Sequence, residues 1–238
     1  MEKSLSVIIP AYNEAKLIRA TLEETAVYLR TQHYRFEILV IDDGSSDGTA
    51  ARAAEAAKAF PEIHVHRLEP NRGKGEAVRY GIGFAQYPYC LFMDADNSTS
   101  IREWDAFERS FAEGVDAVFA SRHLPGARLD RPQPWIRRVL GGGYRVLSRA
   151  LFGLRASDFN CGFKAYRTVI AKQIYSEVEA KDWVFDVEVF CLMKKYRARW
   201  QEVPVRWRHE EKNRSPFWST LRQVPPTLKS LARLKRKC

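Results

Sequence analysis

Two aspartates separated by one small residue, Asp94-Ala95-Asp96, follow the apolar run Tyr89–Met93. Carboxylates at this spacing can both approach a hard cation, which takes oxygen ligands and keeps some of its waters. A bound diphosphate would supply further oxygens, and the cation would stabilise negative charge on it. Asp-x-Asp is also common in turns, so its position in the fold decides between the two readings. Asp42-Asp43 closes another apolar run, and a carboxylate there can accept hydrogen bonds from a ribose or a base. The residues that follow, Gly44 to Thr49, also form a good turn and helix N-cap signal. Asp43 is read as facing a ligand and Asp47 as a cap. Asn71-Arg72-Gly73-Lys74-Gly75 has the look of a phosphate loop, yet it lacks the Gly-x-x-x-x-Gly-Lys-Ser/Thr spacing. That disfavours a P-loop nucleotidase, while the glycines still permit close approach of backbone to a nucleotide.

These clusters occur at regular places. Strands are expected at Leu5–Ile9, Phe36–Ile41, Ile63–Arg67, Tyr89–Met93 and Ala117–Ala120, with helical stretches near 15–30, 48–59, 74–86 and 102–113. Such alternation implies βαβ units, and strands apolar nearly throughout imply a mainly parallel sheet covered by helices on both faces. Ligands bind beyond the carboxyl ends of such strands, and the polar, acidic and glycine-rich residues follow the strands there. Later, Ile136–Phe152 reads as an amphipathic helix with a break or kink expected at Gly141-Gly142-Gly143, since each glycine costs about 1 kcal/mol relative to alanine. Val184–Lys195 reads as a helix and Glu202–Arg208 as an alternating strand. Pro225-Pro226 is expected to separate this region from a basic C-terminal helix or tail. No internal repeat or linker divides the chain.

The 238 residues suffice for one substantial core, and 45% hydrophobic with 29% charged residues is a globular composition. No apolar run approaches the roughly 18 residues of a membrane-spanning helix, and the first residues lack the apolar core of a secretory signal. The expected compartment is therefore cytoplasmic. Cys90, Cys161, Cys191 and Cys238 lack metal-ligand spacing and read as structural thiols. The net charge of +10 is concentrated: residues 121–155 carry eight arginines and one acid, and residues 201–238 ten Lys/Arg and three acids. An acidic partner is implied, whether phosphate, anionic membrane or nucleic acid. The last is disfavoured, because no binding module accompanies the charge and the acidic strand ends would go unexplained.

Taken together and in order, VIIPAYNE, ILVIDDGSSDGT, NRGKGEAVRYG, FMDADNST and ASRHLPG resemble glycosyltransferase family 2. SDFNCGFKAYR, WVFDVEVF and EVPVRW are similar to the polyprenyl-phosphate sugar transferases of that family, closest to the dolichyl-phosphate β-glucosyltransferase subgroup. The resemblance implies a GT-A fold, inversion at the anomeric carbon and a Mg²⁺ or Mn²⁺ cofactor. It implies a glycosyltransferase domain over residues 1–215, with a nucleotide-sugar half at 1–121 and an acceptor half at 122–215, then a basic amphipathic segment at 216–238. Pro10, Tyr12, Glu14, Asp43, Lys74 and Asp94 would line the nucleotide, and Asp94 and Asp96 would hold the metal. The mannosyl enzymes often place a glutamine ligand two residues after the second aspartate. Here that position is Ser98, which weakens a GDP-mannose reading against a UDP-glucose one.

A phosphomonoester acceptor carries roughly −1.5 to −2 charge at neutral pH and needs positive charge more than a base. Arg122, Arg137 and Arg138 are the expected phosphate contacts, together with Arg214. A glycan hydroxyl would instead need a base, for which Asp158 or Asp186 are candidates, although Asp186 and Glu188 could equally pair with nearby arginines. Asp158, within the SDFNCGFKAYR stretch, and Arg122 are also assigned catalytic or positioning roles beside Asp94 and Asp96. The basic amphipathic segments from Trp135 to Phe152 and from Pro216 to Lys237 suggest attachment to an anionic membrane surface, at its inner face, without spanning it.

Overall fold

The computed structural model describes residues 3–130, 135–208 and 224–237; the side chains of residues 135–137 lie outside the described set. Arg214, Cys238 and the segment 216–223 also lie outside it.

Seven strands form the main sheet: β1 (Ser4–Ala11), β2 (Arg35–Asp42), β3 (Ile63–Arg67), β4 (Tyr89–Met93), β5 (Ala117–Ser121), β7 (Phe163–Arg167) and β8 (Trp200–Pro204). Their order is β3-β2-β1-β4-β7-β5-β8. All neighbours are parallel except β7, which runs antiparallel between β4 and β5. The alternation of side chains explains the layers. Leu5, Val7 and Ile9 of β1, with Leu91 and Met93 of β4, pack toward α1 (Ile18–Thr31), α2 (Thr49–Ala59) and α4 (Trp104–Ala112). Ile8, Leu39, Ile41, Cys90 and Phe92 face the other way, toward α3 (Lys74–Phe84), α6 (Thr168–Glu177) and α7 (Phe185–Lys195). The α/β, Rossmann-like, mainly parallel sheet expected from the sequence is the one observed.

Strand β7 was not expected. Its sequence, Phe-Lys-Ala-Tyr-Arg, has a lysine as its second residue, and Lys164 is nonetheless buried because it is ion-paired to Asp186 on α7. The stretch expected as one strand at 202–208 is divided by Val205: β8 joins the main sheet, while β9 (Arg206–Trp207) pairs with β6 (Arg128–Leu129) in a small second sheet.

Helix α5 (Trp135–Phe152) runs unbroken through its three glycines, contrary to the expected break. Its C-terminal half is tied down: Arg149 Nε donates to Ala156 O at 2.7 Å, and Phe152 enters the core. Tertiary contacts there outweigh the poor propensity. Helix α8 (Val224–Lys235) includes Pro225 and Pro226 in its first turn rather than following them. Proline is tolerated there because first-turn amides lack helical acceptors. Leu231 and Leu234 of α8 are buried in the core, so at least this part of the C-terminal segment is integral to the domain.

Candidate functional site

The site forms at the carboxyl ends of β1, β2 and β4, where two asparagines turn the chain. Asn13 after β1 and Asn97 after β4 both adopt positive φ, 57° and 54°, a conformation asparagine tolerates better than most residues. Asn13 Oδ1 accepts the Ser46 amide at 3.0 Å, and its own amide donates to Ser45 Oγ at 2.9 Å, which locks the β1 and β2 loops together. Asp47 accepts from the Thr49 amide at the start of α2 and from the Ala15 amide, both at 3.1 Å. Gly48 rather than Asp47 is the N-cap residue of α2, and Asp47, one residue earlier, braces the helix start to the β1 loop. Tyr12, at the tip, is 52% exposed, whereas Pro10 is enclosed within β1 opposite Ile41.

Asp43 is buried, and both its carboxylate oxygens receive backbone amides, Arg72 at 2.7 Å and Gly73 at 2.8 Å. Its visible task is therefore to shape the 71–75 loop. The glycines of that loop meet protein rather than open space. A Cβ on Gly73 would fall 2.5 Å from Lys181 O, and one on Gly75 would fall 2.3 Å from Ala180 O. The loop lies flush against the backbone at 180–181.

Lys74 projects from this loop with Nζ 2.6 Å from Asp94 Oδ1, and its ammonium lies 5.1 Å from the Phe92 ring centroid and 5.3 Å from that of Trp183. Burial alone would lower its pKa, but Asp94, Asp186 and Asp96 outweigh that and raise it. Asp94 owes its place to Gly162 on the segment preceding β7. The Asp94 amide donates to Gly162 O at 3.0 Å, and a Cβ on Gly162 would fall 1.9 Å from Asp94 Oδ2.

Asp96 Oδ1 accepts the Ser98 amide at 2.9 Å, and burial and the neighbouring Asp94 push its carboxyl up. Glu14 is pushed up to about 7, first by burial and then by Asp96, Asp94 and Asp47. Burial and the neighbouring carboxylates thus disfavour ionisation of Glu14 and Asp96 in one corner. An all-oxygen corner with excess negative charge suits a hard divalent cation. Among the described residues no group of three or more His, Cys, Asp or Glu is arranged to hold a metal, so a cation would need oxygens from a ligand or water as well.

Across the site, Asp158 carries a fork from Arg122: Nε to Oδ2 at 2.7 Å and Nη2 to Oδ1 at 2.9 Å, with the Arg122 amide adding a third bond at 3.1 Å. Burial would raise the Asp158 carboxyl, but Arg122 holds it down at about 2. The guanidinium lies 5.4 Å from the Trp207 ring centroid. Glu202 on β8 fixes the loop behind, accepting the amides of Ser157 at 2.8 Å and Asp158 at 2.9 Å.

The two residues expected as catalytic or phosphate-binding therefore neutralise each other. Among the described residues, positive charge without a carboxylate partner lies beside them instead. Arg145 Nη1 donates to Ser157 O at 3.3 Å and Arg149 Nε to Ala156 O at 2.7 Å. Both acceptors are neutral carbonyls, so these contacts leave the charges intact. His123 registers them: its pKa is lowered first by burial and then by Arg145, Arg122 and Arg149, against the pull of Asp158. Sequence reasoning marked the segment but not these two arginines; their spacing of four residues on one helix was the available signal. Arg138 is exposed on the first half of α5, and the side chain of Arg137 lies outside the described residues.

The remaining acids are committed. Asp186 pairs with Lys164 rather than with an arginine, and Glu188 accepts the amides of Glu179 at 3.0 Å and Ala180 at 2.8 Å. Cys90, Cys161 and Cys191 are buried and form no disulfide among the described residues, and burial pushes the thiols of Cys90 and Cys161 up to about 12, as structural thiols should be.

The chain is 32% identical over 234 residues to a dolichyl-phosphate beta-glucosyltransferase of Drosophila melanogaster, a match covering 91% of this chain and 71% of the relative. The enzyme of that name from Dictyostelium discoideum is 30% identical over 233 residues, covering 92% and 71%. In fold, the chain resembles glucosyl-3-phosphoglycerate synthase from Mycobacterium tuberculosis in complex with UDP, with a TM-score of 0.68 at 20% identity over 96% of this chain and 80% of that one. The model of glycosyl transferase family 2 matches residues 6–175, which include both the carboxylate corner and the Arg122–Asp158 pair, and the chain belongs to that family.

Proposed function

We propose that the protein transfers a hexose, glucose from UDP-glucose, to a polyprenyl phosphate, with inversion at the anomeric carbon. The observation that carries the acceptor class is the state of the acids. A hydroxyl acceptor needs a base to take its proton, yet Asp158, Asp186 and Glu188 are each bound to cationic or amide donors. A phosphate monoester needs no such base. Arg145 and Arg149 provide the positive field that would hold it, with Arg122 alongside and Arg137, Arg138 and Arg214 as further expected contacts. The similar relatives are glucosyltransferases of dolichyl phosphate by name, which supports both the sugar and the lipid.

The donor's nucleotide lies in this reading over Tyr12, Glu14 and the Asp43-braced loop, past Pro10, with its diphosphate toward Lys74, Asp94 and Asp96. An oxygen of the acceptor phosphate attacks C1 of the hexose from the face opposite the leaving group. The C1–O bond to the β-phosphate breaks, and the nucleoside diphosphate departs with that electron pair. Lys74 and Asp94 orient the reacting end. Mg²⁺ or Mn²⁺ held by Asp94 and Asp96 would neutralise charge on the leaving diphosphate. In this reading residues 1–121 hold the nucleotide and its diphosphate, 122–215 supply the acceptor side, and 216–238 form a basic amphipathic segment.

Among the described residues no helix is long and apolar enough to cross a membrane. Val139 and Val146, two turns apart on α5, are 63% and 64% exposed, and Leu228 on α8 is open beside Lys229. Apolar side chains interleaved with Arg138 and Lys229 support attachment to an anionic bilayer surface. Flotation with anionic vesicles at low salt should recover the protein, and high salt should release it.

Transfer is tested with purified protein, manganese, a short polyprenyl phosphate, and a panel of UDP- and GDP-sugars. UDP-glucose should give the lipid-phosphate-linked hexose, and Asp96→Ala should lose on the order of a thousandfold in turnover. Full activity in EDTA would remove the metal from the account. Transfer to a glycan hydroxyl but not to lipid phosphate would overturn the acceptor.

A further inference from the structure

The loop from Val178 to Val184, between α6 and α7, is held from several directions. Glu188 takes the amides of Glu179 and Ala180. The Gly75 amide donates to Lys181 O at 3.2 Å, with Gly73 and Gly75 pressed against the same backbone. Asp182 accepts the Val184 amide at 3.0 Å and the Ser230 hydroxyl of α8 at 2.6 Å. Trp183 O receives Asn160 Nδ2 and Tyr144 Oη, each at 3.4 Å. Val184 and Phe185, which follow, are in the core.

In this fixed setting Trp183 itself is 51% exposed. An indole buries a large apolar area when it can, and the core begins at the next residue. The loop therefore holds the ring out rather than letting it fold in. Its neighbour is the Lys74 ammonium, 5.3 Å from the ring centroid and 2.6 Å from Asp94 Oδ1. A half-exposed indole beside a carboxylate–ammonium pair has two kinds of surface within one sugar's reach.

We propose that Trp183 is the surface against which the hexose ring of the donor lies, a substrate-contacting residue that sets sugar preference; this rests on the nucleotide-sugar reading above. A pyranose has apolar C–H faces and a rim of hydroxyls. The indole, with its negative π face, suits the C–H face, and Asp94 and Lys74 suit the rim. An isoprene unit would fit this place badly, because it would desolvate the Lys74–Asp94 pair without offering it hydrogen bonds. Glucose keeps its ring hydroxyls equatorial and its C–H faces clear, whereas the axial 2-hydroxyl of mannose obstructs one face. The platform therefore favours the gluco configuration.

The test is calorimetric titration of the full chain with manganese, comparing UDP with UDP-glucose; if guanine nucleotides bind instead, GDP and GDP-mannose form the pair. Trp183→Ala should leave affinity for the free nucleotide unchanged and weaken the nucleotide-sugar by about three- to tenfold. Trp183→Phe, which keeps an aromatic face, should recover most of the loss. In turnover, the KM for the donor should rise and that for the lipid phosphate should not. Equal weakening of nucleotide and nucleotide-sugar would overturn the assignment, as would an acceptor KM that rises with isoprene chain length. Failure of the wild type to glycosylate polyprenyl phosphate would sink the acceptor reading alone, since the donor titrations need no acceptor.

Discussion

On the donor side of the site, Asp94, Asp96 and Glu14 crowd around the ammonium of Lys74, and burial and mutual repulsion push the carboxyls of Glu14 and Asp96 up. On the acceptor side, Asp158 has a bidentate arginine to itself and is held down at about 2, and Glu202 has the amides of a loop. Among the described residues, one region carries negative charge that is only partly matched, and the other carries acids matched by donors, with Arg145 and Arg149 bonded only to carbonyls. The contrast teaches how a fold can bring two anionic substrates together. The donor end leaves charge for a cation to satisfy, and the acceptor end fixes its own acids so that the surplus arginines are left for a phosphate.

The largest expected effect comes from breaking the matched side. Arg122→Ala leaves Asp158 buried without its counter-ion, which costs about 3–5 kcal/mol. Urea denaturation at pH 7 should show the loss. Arg145→Gln, by contrast, gives up one bond to a carbonyl and should alter stability little while raising the KM for lipid phosphate. If Arg122→Ala is as stable as the wild type, the two sides do not differ as described.

Gly162→Ala tests how the donor side is aimed. The new Cβ would lie 1.9 Å from Asp94 Oδ2, so the carboxylate must move. Misplacement of about 1 Å at a reacting centre can cost on the order of a hundredfold in rate. Turnover should drop by that order with the fold intact by circular dichroism, and unchanged turnover would show that the position of Asp94 is not critical.

The acid limb of stability sharpens the comparison from the other side. Asp158 is lowered from 3.8 to about 2, so the unfolded chain binds the proton first as pH falls. Its contribution is complete above 3.8 and disappears as pH falls to about 2, worth about 2 kcal/mol. Urea midpoints of the wild type should fall over that window more steeply than those of Asp158→Asn. Parallel curves would remove Arg122's hold on the carboxylate.

These expectations draw unequally on the sequence. Strands β1 to β5 were legible because their apolar runs are local, and Asp94 and Asp96 because they end one. Strand β7 was not, since Lys164 reads as polar until Asp186, 22 residues away, is seen to bury with it. Gly73 and Gly75 were legible as glycines that permit close approach, but not that the backbone at 180–181 is one of the surfaces they approach. Arg122 and Asp158 were each singled out, but 36 residues of chain hid that they are partners. What failed to show was pairing between distant residues, which no local pattern encodes.

The smallest effect concerns Glu14, whose carboxyl is raised from 4.5 to about 7 by burial and by Asp96 and Asp94. Between these values the folded state binds more proton than the unfolded, so stability falls as pH rises through the window and is level above it. Glu14→Gln removes a charge that the crowded corner disfavours. With solvent screening of this half-open group, the gain at pH 8 should be about 1 kcal/mol, and at pH 4 close to nothing. The measurement is paired urea melts in EDTA at the two values. A variant less stable than the wild type at pH 8 would mean that Glu14 already has a counter-charge, and the donor side would then be no less matched than the acceptor side.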